Sequence, residues 1–303
     1  MEFAAKLVDG VSRDGVLGKV DEVVRVGVVY GKVNATVGFA AIGRVVAIWG
    51  DVMQFPHEKL SVYQKALDFF GGIQRHTASW SKQYAFVDHL TRAAESILFN
   101  LVEGVRLHST EKKALALDYS IGSVLECAAC LDIAVLKGLL ANTIAVKKKN
   151  DLLELCKMLV GLRNSWSPSH VAEEPAQYGE GNAINGESSV FYHETMDRYG
   201  VALDFYRWFI ATGAGHRRPA AYEKAVDTLA TRIVLNIAES NGRYASLSRQ
   251  TFLDTANAAA AKLAALLDMG VQRRIMDKPT AEPGKELLVR VGQMTARKDY
   301  PAR

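Results

Sequence analysis

The chain has 303 residues and a formal net charge of +4, with 49% hydrophobic and 23% charged residues. This composition is normal for a soluble globular protein, and the length allows two domains of ordinary size. Three cysteines are too few for a disulfide framework and the sequence shows no cleavable secretory signal, so we expect a cytoplasmic protein.

Residues 1–52 form an N-terminal appendage in which valine alternates with glycine and charge, a pattern that favours strand over helix. Three interpretations stay open: a small β-hairpin, a membrane span within residues 33–53, and a start codon assigned too early, with Met53 beginning the protein. Arg44 and Asp51 interrupt the apolar stretch, so we expect no membrane association.

Residues 53–166 predict four helices. The second helix is the clearest, because its apolar residues recur at helical spacing: Phe86, Leu90, Ala94, Ile97 and Leu101. Gly104 is predicted to cap that helix at its C-terminus, and Ser109 or Thr110 is predicted to cap the start of the third. The third helix should end at Gly138, and the fourth should start near Asp151.

The chain also repeats itself. Residues 63–135 match residues 199–271 at a constant offset of 136 without a gap, and 18 of the 73 aligned positions are identical. A match this long indicates two copies of one folding unit, so residues 191–303 predict a second bundle. Residues 167–190 are rich in proline, glycine and glutamate and predict a flexible acidic linker. The expected fold is all-α, with two tandem antiparallel up-down four-helix bundles.

Several segments of the first copy resemble one protein family. They are residues 55–66, 92–97, 100–104 and 122–126, together with Ser109. These segments resemble the four-helix bundle proteins encoded in intervening sequences of 23S ribosomal RNA genes. That family is in turn similar to the accessory protein of diversity-generating retroelements. The resemblance implies small antiparallel bundles that assemble into rings, and the retroelement accessory binds RNA and a reverse transcriptase through a basic surface.

The second copy is similar to the same family over residues 191–298, but less closely. It departs in three places: Ser240 stands for Gly104, Ala258 and Ala259 stand for Gly122 and Ser123, and Lys262 stands for Glu126. These departures put a shared binding surface in doubt. The third helix of this copy is rich in alanine, and such small side chains allow close approach within the bundle or to a partner.

No arrangement of residues points to catalysis. The seven histidines do not form a His-Glu-x-x-His pattern, and no glycine-rich phosphate loop is present. Cys127 and Cys130 have redox-like spacing but lie in a predicted helix, so buried thiols are expected. Asp118 and Asp132 share a helix face, as do Asp254 and Asp268, and both pairs favour a solvated or salt-bridged edge over a metal site. We therefore predict no enzyme activity, cofactor, metal or small-molecule substrate.

A polar pair recurs in the second helix of both copies. It consists of Asn100 and Glu103 in the first copy and of Asn236 and Glu239 in the second. We predict a structural role, with hydrogen bonds to the first helix or to the turn that leads into the third.

Basic residues cluster at predicted turns and helix ends. The candidates for nucleic-acid contact are Lys112, Lys113, Lys147, Lys148, Lys149, Arg243, Arg249, Arg273 and Arg274. Solvated charge is the simpler interpretation of these clusters, and phosphate contact is the functional one. We predict a self-associating scaffold that binds RNA or a reverse-transcriptase-like protein. A protein-assembly module without nucleic-acid affinity is the alternative.

Overall fold

A computed structural model describes residues 55–166, 191–213, 218–242 and 246–296, without the side chains of residues 246–248. Within these ranges the fold is all-α, as predicted, with eight α-helices and two 3-10 turns. The appendage, whose three interpretations reach to residue 53, and the acidic linker lie outside the described residues.

Bundle 1 begins with a 3-10 turn at Pro56–Lys59. Its helices are α1 (Ser61–Thr77), α2 (Ala85–Arg106), α3 (Thr110–Leu136) and α4 (Asn142–Trp166). Each helix packs against the next, and α1 also packs against α4. These contacts close an antiparallel four-helix bundle.

Bundle 2 has the same order of elements. A 3-10 turn at Tyr192–Thr195 precedes α5 (Asp197–Gly213), α6 (Ala220–Glu239), α7 (Ser246–Gln272) and α8 (Lys278–Thr295). Successive helices again pack together, and α8 packs against α5. The 3-10 turn, the first helix and the third helix of bundle 2 each start and end 136 residues after their counterparts in bundle 1.

The helix ends confirm two of the predicted caps and correct a third. The Ser109 hydroxyl accepts a hydrogen bond from the Lys112 amide at 3.4 Å, and Gly138 has a φ of 69° just beyond the end of α3. Gly104, predicted to be a C-cap, instead lies inside α2. A Cβ atom there would stand 3.3 Å from the Trp166 ring, so this glycine serves close packing.

The fourth helix of each bundle begins earlier than predicted. α4 starts at Asn142 rather than near Asp151, and α8 starts at Lys278 rather than after Pro283 and Gly284, where the apolar pattern predicts its start. Residues 147–149 therefore lie within a helix, where successive side chains point in directions about 100° apart. The side chains of these three adjacent lysines therefore lie in different environments.

α3 is the central helix of the molecule. Among the described helices it is long and apolar enough to cross a membrane, but 72% of its most apolar 18-residue window is buried inside the protein. It packs against α2 and α4 in its own bundle and against α5 and α6 of bundle 2. Its burial is that of a core helix.

The three cysteines are free and buried, as predicted. Cys127 and Cys130 lie on α3, and Cys156 lies on α4. Burial raises the pKa of Cys156 to about 12 and raises the pKa of the other two thiols well above the usual value. These thiols therefore stay protonated and pack as small apolar side chains.

Candidate functional site

A buried polar cluster lies where bundle 2 packs on α3 and α4. We call it the junction cluster; its members are Asp132, Lys149, His193, Glu194 and Tyr199. The Lys149 ammonium donates to Asp132 Oδ1 at 2.9 Å and to Glu194 Oε2 at 2.7 Å. The Tyr199 hydroxyl donates to Asp132 Oδ2 at 2.9 Å. One lysine thus links three elements: α3, α4 and the second 3-10 turn.

The second 3-10 turn positions the bundle 2 half of the cluster. Glu194 accepts a hydrogen bond from the Phe191 amide at 3.3 Å through Oε1, which leaves Oε2 for Lys149. The His193 ring lies between two aromatic rings, 5.6 Å from the Phe191 centroid and 4.7 Å from the Tyr199 centroid. The turn therefore presents a carboxylate and an imidazole to bundle 1 on a fixed aromatic support.

His193 is held neutral. Its side chain is fully buried, and neither ring nitrogen has a hydrogen-bond partner. Burial, together with the positive charge of Lys149, lowers the pKa of His193 to about 3. An imidazole in this state contributes packing area and no charge at neutral pH.

The pKa values of the groups that bond Lys149 or its partner Asp132 are raised, whereas the pKa of His193 is lowered. Burial raises the pKa of Glu194, although the nearby lysine opposes the shift. Burial and the Asp132 carboxylate raise the pKa of Tyr199 well above the usual value. Burial alone lowers the pKa of Lys149, but the two carboxylates outweigh it and the net pKa is raised. The ammonium therefore stays charged in its pocket.

Three residues of the same cluster belong to the types that bind metal ions in proteins. Donor atoms of Asp132, His193 and Glu194 lie within 4.8 Å of one another. Lys149 already supplies the positive charge between the two carboxylates. A divalent ion would have to displace that ammonium, so the arrangement favours a structural salt bridge.

A second polar contact joins the bundles at the end of α3. Lys137 lies 2.6 Å from Asp227 Oδ1 on α6, and the Ala85 amide donates to Asp227 Oδ2 at 2.9 Å. The same ammonium lies 4.4 Å from the Tyr84 ring centroid and 5.2 Å from the Tyr206 ring centroid. The buried carboxylate of Asp227 is thus neutralised from bundle 1.

Three of the described basic candidates lie against acidic or aromatic side chains, and five are exposed. Lys149 belongs to the junction cluster, Lys148 lies 3.4 Å from the Asp151 carboxylate, and Lys113 lies 5.2 Å from the Trp166 ring centroid. The exposed candidates are Lys112, Lys147, Arg249, Arg273 and Arg274. Arg243 lies outside the described residues. The exposed candidates come from both bundles, and they do not form one continuous run in the sequence.

The predicted polar pair forms its hydrogen bonds locally. The Asn100 amide donates to the Ser96 carbonyl and hydroxyl, both at 2.8 Å, and the Asn236 amide donates to the Arg232 carbonyl at 2.7 Å. These partners lie one turn earlier in the same helix, so the prediction of bonds to the first helix or to the following turn is wrong for the amide groups of the two asparagines.

The acidic members of that pair differ in exposure. Glu103 is exposed, where solvent screens its repulsion from the helix dipole, whereas Glu239 is half-buried. Neither glutamate joins the junction cluster.

The edge of α3 that was predicted to be solvated or salt-bridged is salt-bridged. Arg163 on α4 donates to Asp118 at 2.5 Å and 3.3 Å, and Lys149 pairs with Asp132, which lies two heptads further along the same helix. The junction cluster itself was missed at the sequence level. Its signal is the pattern Phe-x-His-Glu, which occurs at residues 55–58 and again at residues 191–194.

Comparison with known proteins gives a family match for part of the chain. Residues 58–161 match the family model of the 23S rRNA-intervening sequence protein. The match covers bundle 1 and confirms the resemblance there. No curated protein and no solved structure matches the chain.

Proposed function

We propose that this protein is a non-enzymatic helical scaffold that associates with further copies of itself and binds RNA through exposed basic side chains. The two bundles are two copies of one ancestral unit, as the recurrence of helix boundaries supports. A protein that processes RNA is a second class of partner for the same surface. The hypothesis that RNA itself is the partner can be tested directly.

The observation that carries the RNA proposal is the backbone of Arg274. This residue has a φ of 56° in the turn between α7 and α8, and the equivalent residue in bundle 1 is Gly138 with a φ of 69°. Glycine takes this conformation without a Cβ penalty, whereas another residue loses about 1 kcal/mol. A strained arginine at an exposed turn indicates that its side chain has a function there.

The surroundings of Arg274 suit an anion. It lines an open cleft of about 520 Å³ with Lys278, the buried Arg218 and one acidic residue, Asp277, whose carboxylate accepts a hydrogen bond from the Thr280 amide. The Arg218 guanidinium donates to the Phe209 carbonyl at 3.0 Å and to the Thr212 hydroxyl at 2.7 Å, so it adds positive charge from a fixed position. Ammonium and guanidinium groups of this kind contact phosphate without reading sequence.

The remaining exposed candidates extend this basic character to bundle 1. Lys112 lies in the first turn of α3, and Lys147 lies on the exposed side of α4. No aromatic side chain among the candidates offers a base-stacking platform, so we expect phosphate binding and a preference for folded RNA over single strands.

A binding measurement with charge-matched variants tests the proposal. The probe is a labelled hairpin transcribed from 23S rRNA, with oligouridylate as the single-stranded comparison. One variant combines K112E, K147E and R274E, and its control combines K157E, R232E and R290E, which also reverses three exposed charges. The first variant should lose at least about tenfold in affinity, and its log–log salt slope should fall by about 2 to 3.

The control separates a defined surface from general charge. Equal losses in both triple variants would contradict the assignment of these residues. Affinity that does not change between about 50 and 300 mM salt would overturn the RNA proposal and favour the assembly-only alternative. R274G sharpens the result, because it should weaken RNA binding while it stabilises the fold.

A further inference from the structure

The contact between the two bundles uses two different surfaces. The surface of bundle 1 lies on α3, on α4 and on α2, which also packs against α6, and we call it the tail face; it includes Gly122, Leu125, Asp132, Lys137 and Lys149. The surface of bundle 2 lies on the 3-10 turn, α5 and α6, and we call it the head face; it includes Glu194, Tyr199, Tyr206, Asp227 and Gly242. Each bundle also carries the other surface at equivalent positions.

Most polar groups of this contact recur at those unused positions; the exception is Asp227, because Thr91 stands at its equivalent. A shift of 136 residues turns Lys149 and Glu194 into Lys285 and Glu58, an unchanged pair of opposite charges. The same shift turns the hydrogen-bonded pair of Asp132 and Tyr199 into Asp268 and Tyr63. The cation over an aromatic ring, formed by Lys137 and Tyr206, becomes Arg273 and Phe70. The sequence thus encodes most of the contact twice, and the described residues form it once.

The unused surfaces expose apolar side chains whose equivalents on the surfaces of the internal contact are buried. On the head face, Phe191 is 1% exposed and Leu235 is 2% exposed, whereas their counterparts Phe55 and Phe99 are 58% and 69% exposed. On the tail face of bundle 2 the exposed residues are Ala258, Ala261, Ala265 and Met269, and their counterparts in α3 are all buried. Exposed aromatic groups of this kind mark an interaction site.

The two unused surfaces are also complementary in size. Within the chain, Gly242 has no room for a side chain, since a Cβ atom would stand 2.8 Å from Leu125 Cδ1 and 3.3 Å from Gly122 Cα. At the equivalent positions the small residue is on the other side: Arg106 replaces Gly242, and Ala261 replaces Leu125. The contact within the chain places a glycine against a leucine. The equivalent positions on the two unused faces carry an arginine and an alanine.

We propose that the tail face of bundle 2 binds the head face of bundle 1 in a second copy of this chain. The new contact repeats the internal one, with Lys285 on Glu58, Asp268 on Tyr63 and Phe99 on the alanine-rich face of α7. It rests on the self-association in the proposed function and specifies its geometry. Because the two faces differ, the contact is heterologous and copies join head to tail.

Face-specific variants of the full chain test this geometry by light scattering after size exclusion. F99D blocks the head face and A261D blocks the tail face, and both sites are exposed, so the fold should persist. The wild type should have a mass above that of one chain, and each variant should be a monomer. An equimolar mixture of the two variants should give a dimer of one chain each, because one open face of each kind remains.

A control and a cross-link make the result independent of folding. I144D changes an exposed apolar residue outside both faces and should leave the wild-type assembly unchanged. R106C mixed with A258C should form a disulfide-linked heterodimer, since the equivalent backbones approach closely at Gly122 and Gly242. Neither cysteine variant alone should form this product.

Three outcomes would overturn the proposal: a monomeric wild type, a mixture of F99D and A261D that stays monomeric, or full assembly of either variant alone. These outcomes leave the RNA measurement separate. A monomer that binds the 23S hairpin with the predicted salt dependence would retain the RNA proposal and remove this one. An assembled chain without RNA affinity would do the reverse.

Discussion

Two ion pairs at equivalent positions have different surroundings. Lys149 lies 2.9 Å from Asp132 in bundle 1, and Lys285 lies 2.6 Å from Asp268 in bundle 2. The first pair is buried because bundle 2 covers it with Glu194 and Tyr199, whereas the Asp268 side chain is 60% exposed. The residues and the spacing are the same, so the cover alone decides how much each pair contributes to stability.

Removing each lysine is the strongest test of this comparison. Lys149→Ala leaves two buried carboxylates without a cation and should lower the free energy of unfolding by about 3–5 kcal/mol. Lys285→Ala should cause no measurable change in a monomeric chain, because its pair is in solvent. Guanidinium unfolding followed by circular dichroism measures both. Equal losses would show that the cover from bundle 2 contributes nothing.

Truncating the apolar residues of the two head faces gives the next largest difference. Leu235 is buried and its counterpart Phe99 is exposed, so we infer that bundle 1 provides the cover of Leu235. Leu235→Ala should cost about 3 kcal/mol, and Phe99→Ala should stay within about 0.5 kcal/mol at concentrations where the chain is monomeric. A large loss for Phe99→Ala under those conditions would mean that the head face of bundle 1 is covered within the chain.

A third difference concerns pH and the cluster that only bundle 2 completes. The unfolded chain protonates His193 near its ordinary pKa of 6.5, while the folded chain holds that pKa at about 3. The unfolded state therefore binds more protons in this window, and stability falls as pH drops below 6.5. By about pH 5 the loss from this group should reach about 2 kcal/mol relative to neutral pH.

His193→Phe isolates this effect, because the ring still stacks between Phe191 and Tyr199. The raised pKa of Glu194 acts with the opposite sign, since its cost to folding decreases as pH falls. The variant should therefore lose less stability than the wild type between pH 7 and 5, and His108→Phe, at an exposed site, should keep the wild-type slope. Identical slopes for His193→Phe and the wild type would place the pH dependence elsewhere.

The sequence predicts the helices well because their signals are local. Apolar periodicity, the Ser109 cap and the Gly138 turn all act within a few residues, and each is confirmed. The start of α4 was placed too late because β-branched residues and a run of lysines precede Asp151 and conceal the helical pattern. Gly104 was misplaced because a glycine needed for close packing to Trp166 has the same sequence signal as a cap.

The candidate site was harder to predict because it depends on how the bundles pack. A run of three lysines indicates a solvated surface, yet Lys149 is buried by residues that follow it by more than forty positions. Hydrophobic periodicity shows that a helix face is apolar, and it does not show which element covers it. A repeated pattern such as Phe-x-His-Glu could have pointed to a recurring contact, but not to its partner on α3 and α4.

The smallest predicted effects concern two glycines that differ in their surroundings. A Cβ atom at Gly242 would press on Leu125, which can rotate, and on the Gly122 backbone, which must shift by a few tenths of an ångström. Gly242→Ala should therefore cost about 1 kcal/mol, at the low end for overpacking. At Gly200, inside α5, a Cβ atom would meet nothing within 4 Å, so Gly200→Ala should stabilise the fold by about 0.5–1 kcal/mol. Thermal unfolding resolves both signs. A stabilising Gly242→Ala would mean that α6 does not approach α3 closely, and the size complementarity argued for the contact between copies would lose its basis.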